Sequence, residues 1–229
     1  MQCPRCFWLD GRLKITRPNG PPFNINKTID ELFKKEFDGY RAEGEPHPIM
    51  IEAGLDGVIP YAHKDLDIWR YNFTGVAAVD EPTNLHVFGA VDDIWINENS
   101  ELIVVDYKAT SKDREVGIES DWQISYKRQM EVYQWLLRRN GFTVSDTGYF
   151  VYTNARMDVD GFGDKLEFKT MVIPYTGSDN WVAPTLAKMK ACLENDSMPP
   201  VGNAAMGGPC DFCMYAKART ELTLQHLKG

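Results

Sequence analysis

Asp92, Asp106 and Lys108 interrupt the stretch GAVDDIWINENSELIVVDYKAT, residues 89–110, much of which reads as two buried strands. Val91, Ile94, Trp95 and Ile96 precede the polar run Asn97–Glu101; Leu102, Ile103, Val104 and Val105 follow it. A loop at Glu98, Asn99 and Ser100 gives a hairpin in which Asn97 faces Glu101, Ile96 faces Leu102 and Asp92 faces Asp106. Opposed residues carry Cβ atoms roughly 4.5–5.5 Å apart on one face. Lys108, two residues beyond Asp106, points to that same face, whereas a slip of one residue would part the two acids. Paired carboxylates repel, and a hard divalent cation such as Mg²⁺ or Mn²⁺ removes the penalty. Such an ion polarises a phosphoryl oxygen and activates water, while a nearby lysine positions that water or stabilises developing charge. A purely structural Asp–Lys ion pair at a sheet edge uses the same residues.

Two helices must flank this hairpin. One runs from Asn26 to about Arg41 with the apolar stripe Ile29, Leu32, Phe33 and Tyr40. At about 100° per residue, Glu36 falls inside that stripe and Asp30 at its margin. The second runs from Asp121 to Arg139 and stops at Asn140-Gly141, with Trp122, Tyr126, Tyr133, Leu136 and Leu137 inward and Gln129 among them. Buried polar side chains need partners, and one shared site would supply them, although a satisfied core residue is the commoner case for any single position. His47 and His63 fall between the first helix and the hairpin and read as loop or surface residues rather than ligands. GYFVYTNA and LEFKTMVIPY read as further strands and NWVAPTLAKMKACLEN as a helix, giving one α/β domain with a mixed sheet.

GAVDD, VVDYK and QMEVY, in that order, resemble the three motifs of RecB-like nucleases of the PD-(D/E)XK superfamily. The resemblance covers roughly residues 26–152 and implies a restriction-endonuclease-like core. It also implies that Asp92 and Asp106 are metal ligands, joined by the backbone carbonyl of Tyr107. Lys108 would be the catalytic lysine, with Gln129 and Tyr133 supporting the site or touching DNA. Many members carry a histidine on the first helix; here TIDELFKKEF has Asp30 at that place, and the helical stripe favours Glu36 as the acidic ligand. The implied substrate is DNA, as single strands or free ends.

Cys3 and Cys6 in CPRC, with Cys210 and Cys213 in CDFC, form two CxxC pairs at opposite ends of the chain. Two such pairs complete one four-thiolate site, and disulfides do not persist in a reducing cytoplasm. Zinc and a 4Fe–4S cluster both accept four thiolates, and the spacing does not separate them. Resemblance to iron–sulfur exonucleases of CRISPR adaptation favours the cluster, though those carry one Cys before the core and three after it. Cys192 reads as a core thiol.

The chain of 229 residues, 43% hydrophobic, can bury one sizeable core. It is expected to be a single domain over residues 1–229, with 26–152 as catalytic core and residues 1–25 and 200–229 as cysteine-bearing segments. No apolar run reaches membrane-spanning length and MQCPRCFWLDGRLK lacks a signal core, so a cytoplasmic protein is expected. A net charge of −8 argues against coating by nucleic acid. Residues 107–156 are nonetheless locally basic, which makes Lys112, Arg114 and Arg128 candidate phosphate contacts. Tyr126, Trp122 and Trp69 could stack on bases, or simply fill the core. The reading that follows is a Mg²⁺- or Mn²⁺-dependent deoxyribonuclease; a non-catalytic nucleic-acid-binding module and a metal-stapled interaction protein are its competitors.

Overall fold

The computed structural model describes residues 2–20, 22–204 and 207–227. Its chain divides into two compact units, one of residues 22–79 and 86–180, the other of residues 1–21, 80–85 and 181–229. The helices are α1 (Pro4–Leu13), α2 (Asn24–Glu43), α3 (Pro48–Glu52), α4 (Leu66–Arg70), α5 (Ile124–Arg139), α6 (Val182–Glu194) and α7 (Asp211–Leu227). The strands are β1 (Ile59–Pro60), β2 (Val76–Asp80), β3 (Leu85–Gly89), β4 (Asp93–Ile96), β5 (Leu102–Thr110), β6 (Thr147–Ala155) and β7 (Phe168–Thr176). None of these helices is long and apolar enough to cross a membrane.

The larger unit holds a five-stranded mixed sheet in the order β1-β4-β5-β6-β7, with β5 and β6 parallel and every other pairing antiparallel. Parallel neighbours need a crossover, and α5 supplies it. The β4–β5 hairpin keeps the anticipated register: Ile96 pairs with Leu102, Trp95 with Ile103, Ile94 with Val104 and Asp93 with Val105. The Asn97 side chain holds the loop, its Oδ1 accepting the N–H groups of Asn99 at 3.0 Å and Glu101 at 2.9 Å. Ser100 turns the chain at φ 61°. This is an α/β fold of restriction-endonuclease type, a central mixed sheet flanked by helices.

Packing fixes α2 against one face of that sheet. Phe37 is fully buried, stacked 5.6 Å from Trp95 and tilted 5.8 Å from Tyr107, and Phe33 lies 5.0 Å from Tyr107. Burying a phenyl ring in this way stabilises by about 1.5–3 kcal/mol. Helix α5 runs as anticipated: a short 3₁₀ turn at Asp121–Gln123 leads into it, Asn140 caps it, and Gly141 leaves it at φ 87°. The smaller unit contains α1, α6, α7 and the turn between β2 and β3, and holds all four CxxC cysteines.

Candidate active site

One step beyond the last β4–β5 pair, Asp92 accepts the Tyr107 N–H on Oδ2 at 2.8 Å, so it meets β5 beside Asp106. Asp106 is fully buried, and neither of its carboxylate oxygens receives a well-directed hydrogen bond. Lys108 pairs with Asp106 Oδ2 by charge. Burial first, then the charge of Asp106, pushes the Asp92 carboxyl well above the usual range; Lys108 and the Tyr107 N–H pull the other way. Burial likewise raises Asp106, against the pull of Lys108.

The negative charge of Asp30, on the first helix, is felt at this site and adds to the rise of both acids. Asp30 is partly buried and held by Lys34 at 2.6 Å. Glu36 is not brought there. Its side chain is 56% exposed and its Oε1 meets His47 Nε2 at 3.0 Å. The reason is the helix's rotation: Leu32 is 58% exposed whereas Phe37 is fully buried. The buried face is therefore centred about 70° away from the stripe read off Ile29, Leu32, Phe33 and Tyr40. His47 is not a loop or surface side chain: it is buried, stacks on Phe37 at 4.3 Å and caps α3 by accepting the Ile49 N–H at 3.1 Å. His63 stacks on Trp69 at 4.3 Å, and Trp69 is buried beside Phe142, a core role for all three rings.

Gln129 and Tyr133 meet on α5, where the amide donates to the phenol oxygen at 2.8 Å. Burial, opposed by Gln129 and reinforced by Asp92 and Asp106, raises the Tyr133 hydroxyl. A Cβ at Gly89 would lie 2.6 Å from the Tyr133 ring, so the glycine of GAVDD makes room for that ring. Lys108 Nζ stands 4.6 Å over the Tyr126 ring, and Lys112 Nζ 5.2 Å over Trp122. Lys112 and Arg114 line a cleft of about 510 Å³ with Asn154, Arg156 and Lys169, just past the end of β5. Arg128 is exposed on α5.

On the opposite face of the sheet sits a network missing from the sequence reading. Asp93 is fully buried and accepts from Arg41, from Arg70 at 2.7 Å, from the Ile94 N–H at 2.8 Å and from the Tyr107 hydroxyl at 2.8 Å. Burial and the Asp93 charge drive the Tyr107 hydroxyl far above its ordinary value. Asp38 closes the network, accepting from Arg70 at 2.8 and 3.0 Å. The signal was in the doublet: adjacent strand residues face opposite ways, so Asp93 needed its own cations.

A profile of the PD-(D/E)XK nuclease superfamily matches residues 25–218, well over half of the chain. The chain belongs to the PD-(D/E)XK nuclease superfamily. No curated protein matches it. Among solved structures, the crystal structure of SSO0001 is similar at 23% identity and a TM-score of 0.27. That match covers 50% of this chain and 45% of the other, so the chain spans under half the length of that relative. Nucleases of this superfamily use divalent metals. The donor set of this PD-(D/E)XK chain fits such an ion: two acids share one buried spot, with the Asp106 oxygens lacking directed donors.

The cysteines of this superfamily member meet in the smaller unit. The Sγ atoms of Cys3, Cys6, Cys210 and Cys213 all lie within 4.8 Å of one another, and no disulfide joins them. Cys3 accepts the Gly202 N–H at 3.3 Å, and Cys210 accepts from Arg17 at 3.5 Å. Burial works to raise the Cys3 thiol, yet the N–H groups of Cys6 and Gly202 bring it down to about 6. Burial, with the neighbouring sulfurs, raises Cys213. Four crowded thiols resist ionising together without a cation, and their spacing could hold a metal ion. Cys192 stands apart, its Sγ 3.7 Å from the Pro4 carbonyl oxygen.

Proposed function

We propose that this chain is a Mg²⁺- or Mn²⁺-dependent DNA nuclease of the RecB-like branch, cytoplasmic, acting on single strands or free ends. One observation carries the reading: Asp106 is buried beside Asp92 with both oxygens lacking directed hydrogen bonds, an arrangement that a divalent cation would stabilise. Asp92, Asp106, the Tyr107 carbonyl and Asp30 would hold the ion or ions, with Asp30 in place of Glu36. When bound, the metal supplies Lewis-acid activation of water and of the phosphodiester.

The remaining work falls to the chain's own groups. Lys108, already drawn to the acidic pair, holds the attacking water and offers positive charge to the phosphorane-like oxygens as they form. Gln129 and Tyr133 fix the wall against which the pair is set. Lys112, Arg114 and Arg128 hold backbone phosphates, while Tyr126 and Trp122 offer faces to unpaired bases. In this reading residues 26–152 form the catalytic core of a single nuclease domain.

The test uses end-labelled single- and double-stranded DNA in EDTA, Mg²⁺ or Mn²⁺, with wild type, Asp106→Ala and Lys108→Ala. We expect cleavage that requires the divalent ion and falls by at least about 100-fold in both variants, a loss of about 2.7 kcal/mol in barrier terms. A folded wild type that binds DNA but cuts under no condition would sink the enzyme reading and leave a binding module.

A further inference from the structure

The four-thiol site does not fit the cluster that its sequence resemblance implies. In a 4Fe–4S cube each thiolate ends on a different iron, so the four sulfurs diverge from the corners and stand roughly 6 Å apart. Four thiolates on one tetrahedral zinc, each about 2.3 Å from it, stand about 3.8 Å from one another. Here the separations are 3.4 Å for Cys6–Cys213 and 3.7 Å for both Cys3–Cys213 and Cys6–Cys210. All four sulfurs fall within 4.8 Å. That tetrahedron has room for one ion and none for a cube. A two-iron cluster fails too, since the sulfurs on its separate irons would also stand farther apart than this.

We infer that Cys3, Cys6, Cys210 and Cys213 hold a single Zn²⁺ as a closed, structural four-thiolate site. The surroundings suit such a centre. Zinc with four thiolates carries two negative charges, and positive groups gather on it. Arg17 donates to Cys210, and the Gly202 N–H donates to Cys3. Each CxxC pair also opens a helix: Cys3 stands at the N-cap of α1, and Cys210 directly precedes α7. Both pairs thus lie where helix termini present unpaired N–H groups and positive dipole ends. Gly202 is required here, because a Cβ would lie 2.4 Å from the Gln2 carbonyl oxygen and 2.5 Å from Cys3 Cα. The chain segment preceding α7 can therefore close on the sulfurs and deliver its N–H as an outer contact to the ligand.

The test is metal analysis of the full chain purified without oxygen from an iron-replete culture, so that neither oxidation nor iron shortage biases the result. We expect a colourless protein holding about one zinc per chain and no acid-labile sulfide. X-ray absorption at the zinc edge should show four sulfurs at about 2.3 Å and no metal–metal scattering. Replacing the zinc with Co²⁺ in wild type should give the visible bands of a tetrahedral thiolate site, without relying on any variant that could fail to fold. Cys213→Ser should lose the zinc, or bind it at least 10-fold more weakly. A brown protein with iron and sulfide in equal amounts, one iron per chain without sulfide, or a metal-free folded chain would each overturn the assignment. None of these outcomes depends on the cleavage assay.

Discussion

Neighbouring acids in this chain do opposite jobs because of where their side chains point. Asp92 turns toward Asp106 and Lys108, while Asp93, one residue on, turns to the other face and neutralises Arg41 and Arg70. A doublet on a strand divides its charge between two faces. Asp30 and Glu36 divide likewise on α2. Asp30 adds its charge to the acidic pair, and Glu36 pairs with His47 away from it. Asp30→Ala should therefore lower metal-dependent cleavage by about 10-fold or more, on the scale of one lost charge-assisted contact. Glu36→Ala should stay within about twofold of wild type. Initial rates across a Mg²⁺ titration check this, and the reverse ranking would return Glu36 to the site.

At the scale of elements, the Asp93 network ties four pieces of chain together. Arg41 comes from the end of α2, Arg70 from the end of α4, Asp93 from β4 and Tyr107 from β5. Both arginine side chains are only 8% exposed. Asp93→Ala should cost about 3–5 kcal/mol in urea unfolding, because it leaves two buried guanidinium groups with Asp38 alone to balance them. A loss under about 1 kcal/mol would mean that water already compensates these charges. The hairpin itself was legible from its loop, since the Asn97 side chain and the turn at Ser100 set a register that alternation then carries to Asp92 and Asp106. The face of α2 was not legible. Leu32 and Phe37 are both apolar, and only contact with Trp95 and Tyr107 decides that Phe37 is the one turned inward.

The whole molecule is acidic, with a net charge of −8, yet the proposed substrate is a polyanion. Binding must then rest on a few local cations, Lys108, Lys112, Arg114 and Arg128, rather than on bulk attraction. If about four phosphates are neutralised on single strands, the logarithm of affinity should fall with log salt at a slope of about −3. For Asp106→Ala, which would bind without cutting, that is about 60-fold weaker binding at 200 mM than at 50 mM salt. Lys112→Ala should flatten the slope by about 0.7. Fluorescence anisotropy across the salt series measures both, and a flat salt response would remove the phosphate-contact role.

What the sequence by itself determined is local and periodic. Hairpin register follows from loop length and alternation, the end of α5 from Asn140-Gly141, and the pairing of chain ends from two CxxC spacings. These are short-range consequences of backbone geometry, readable over a few residues. What only the tertiary structure decided depends on groups far apart in sequence. Packing on Trp95 and Tyr107 chose the buried face of α2 and so turned Glu36 outward to His47. Two distant arginines explained Asp93. The sulfurs of residues 3 and 213 stand 3.7 Å apart, a closeness that no spacing along the chain encodes.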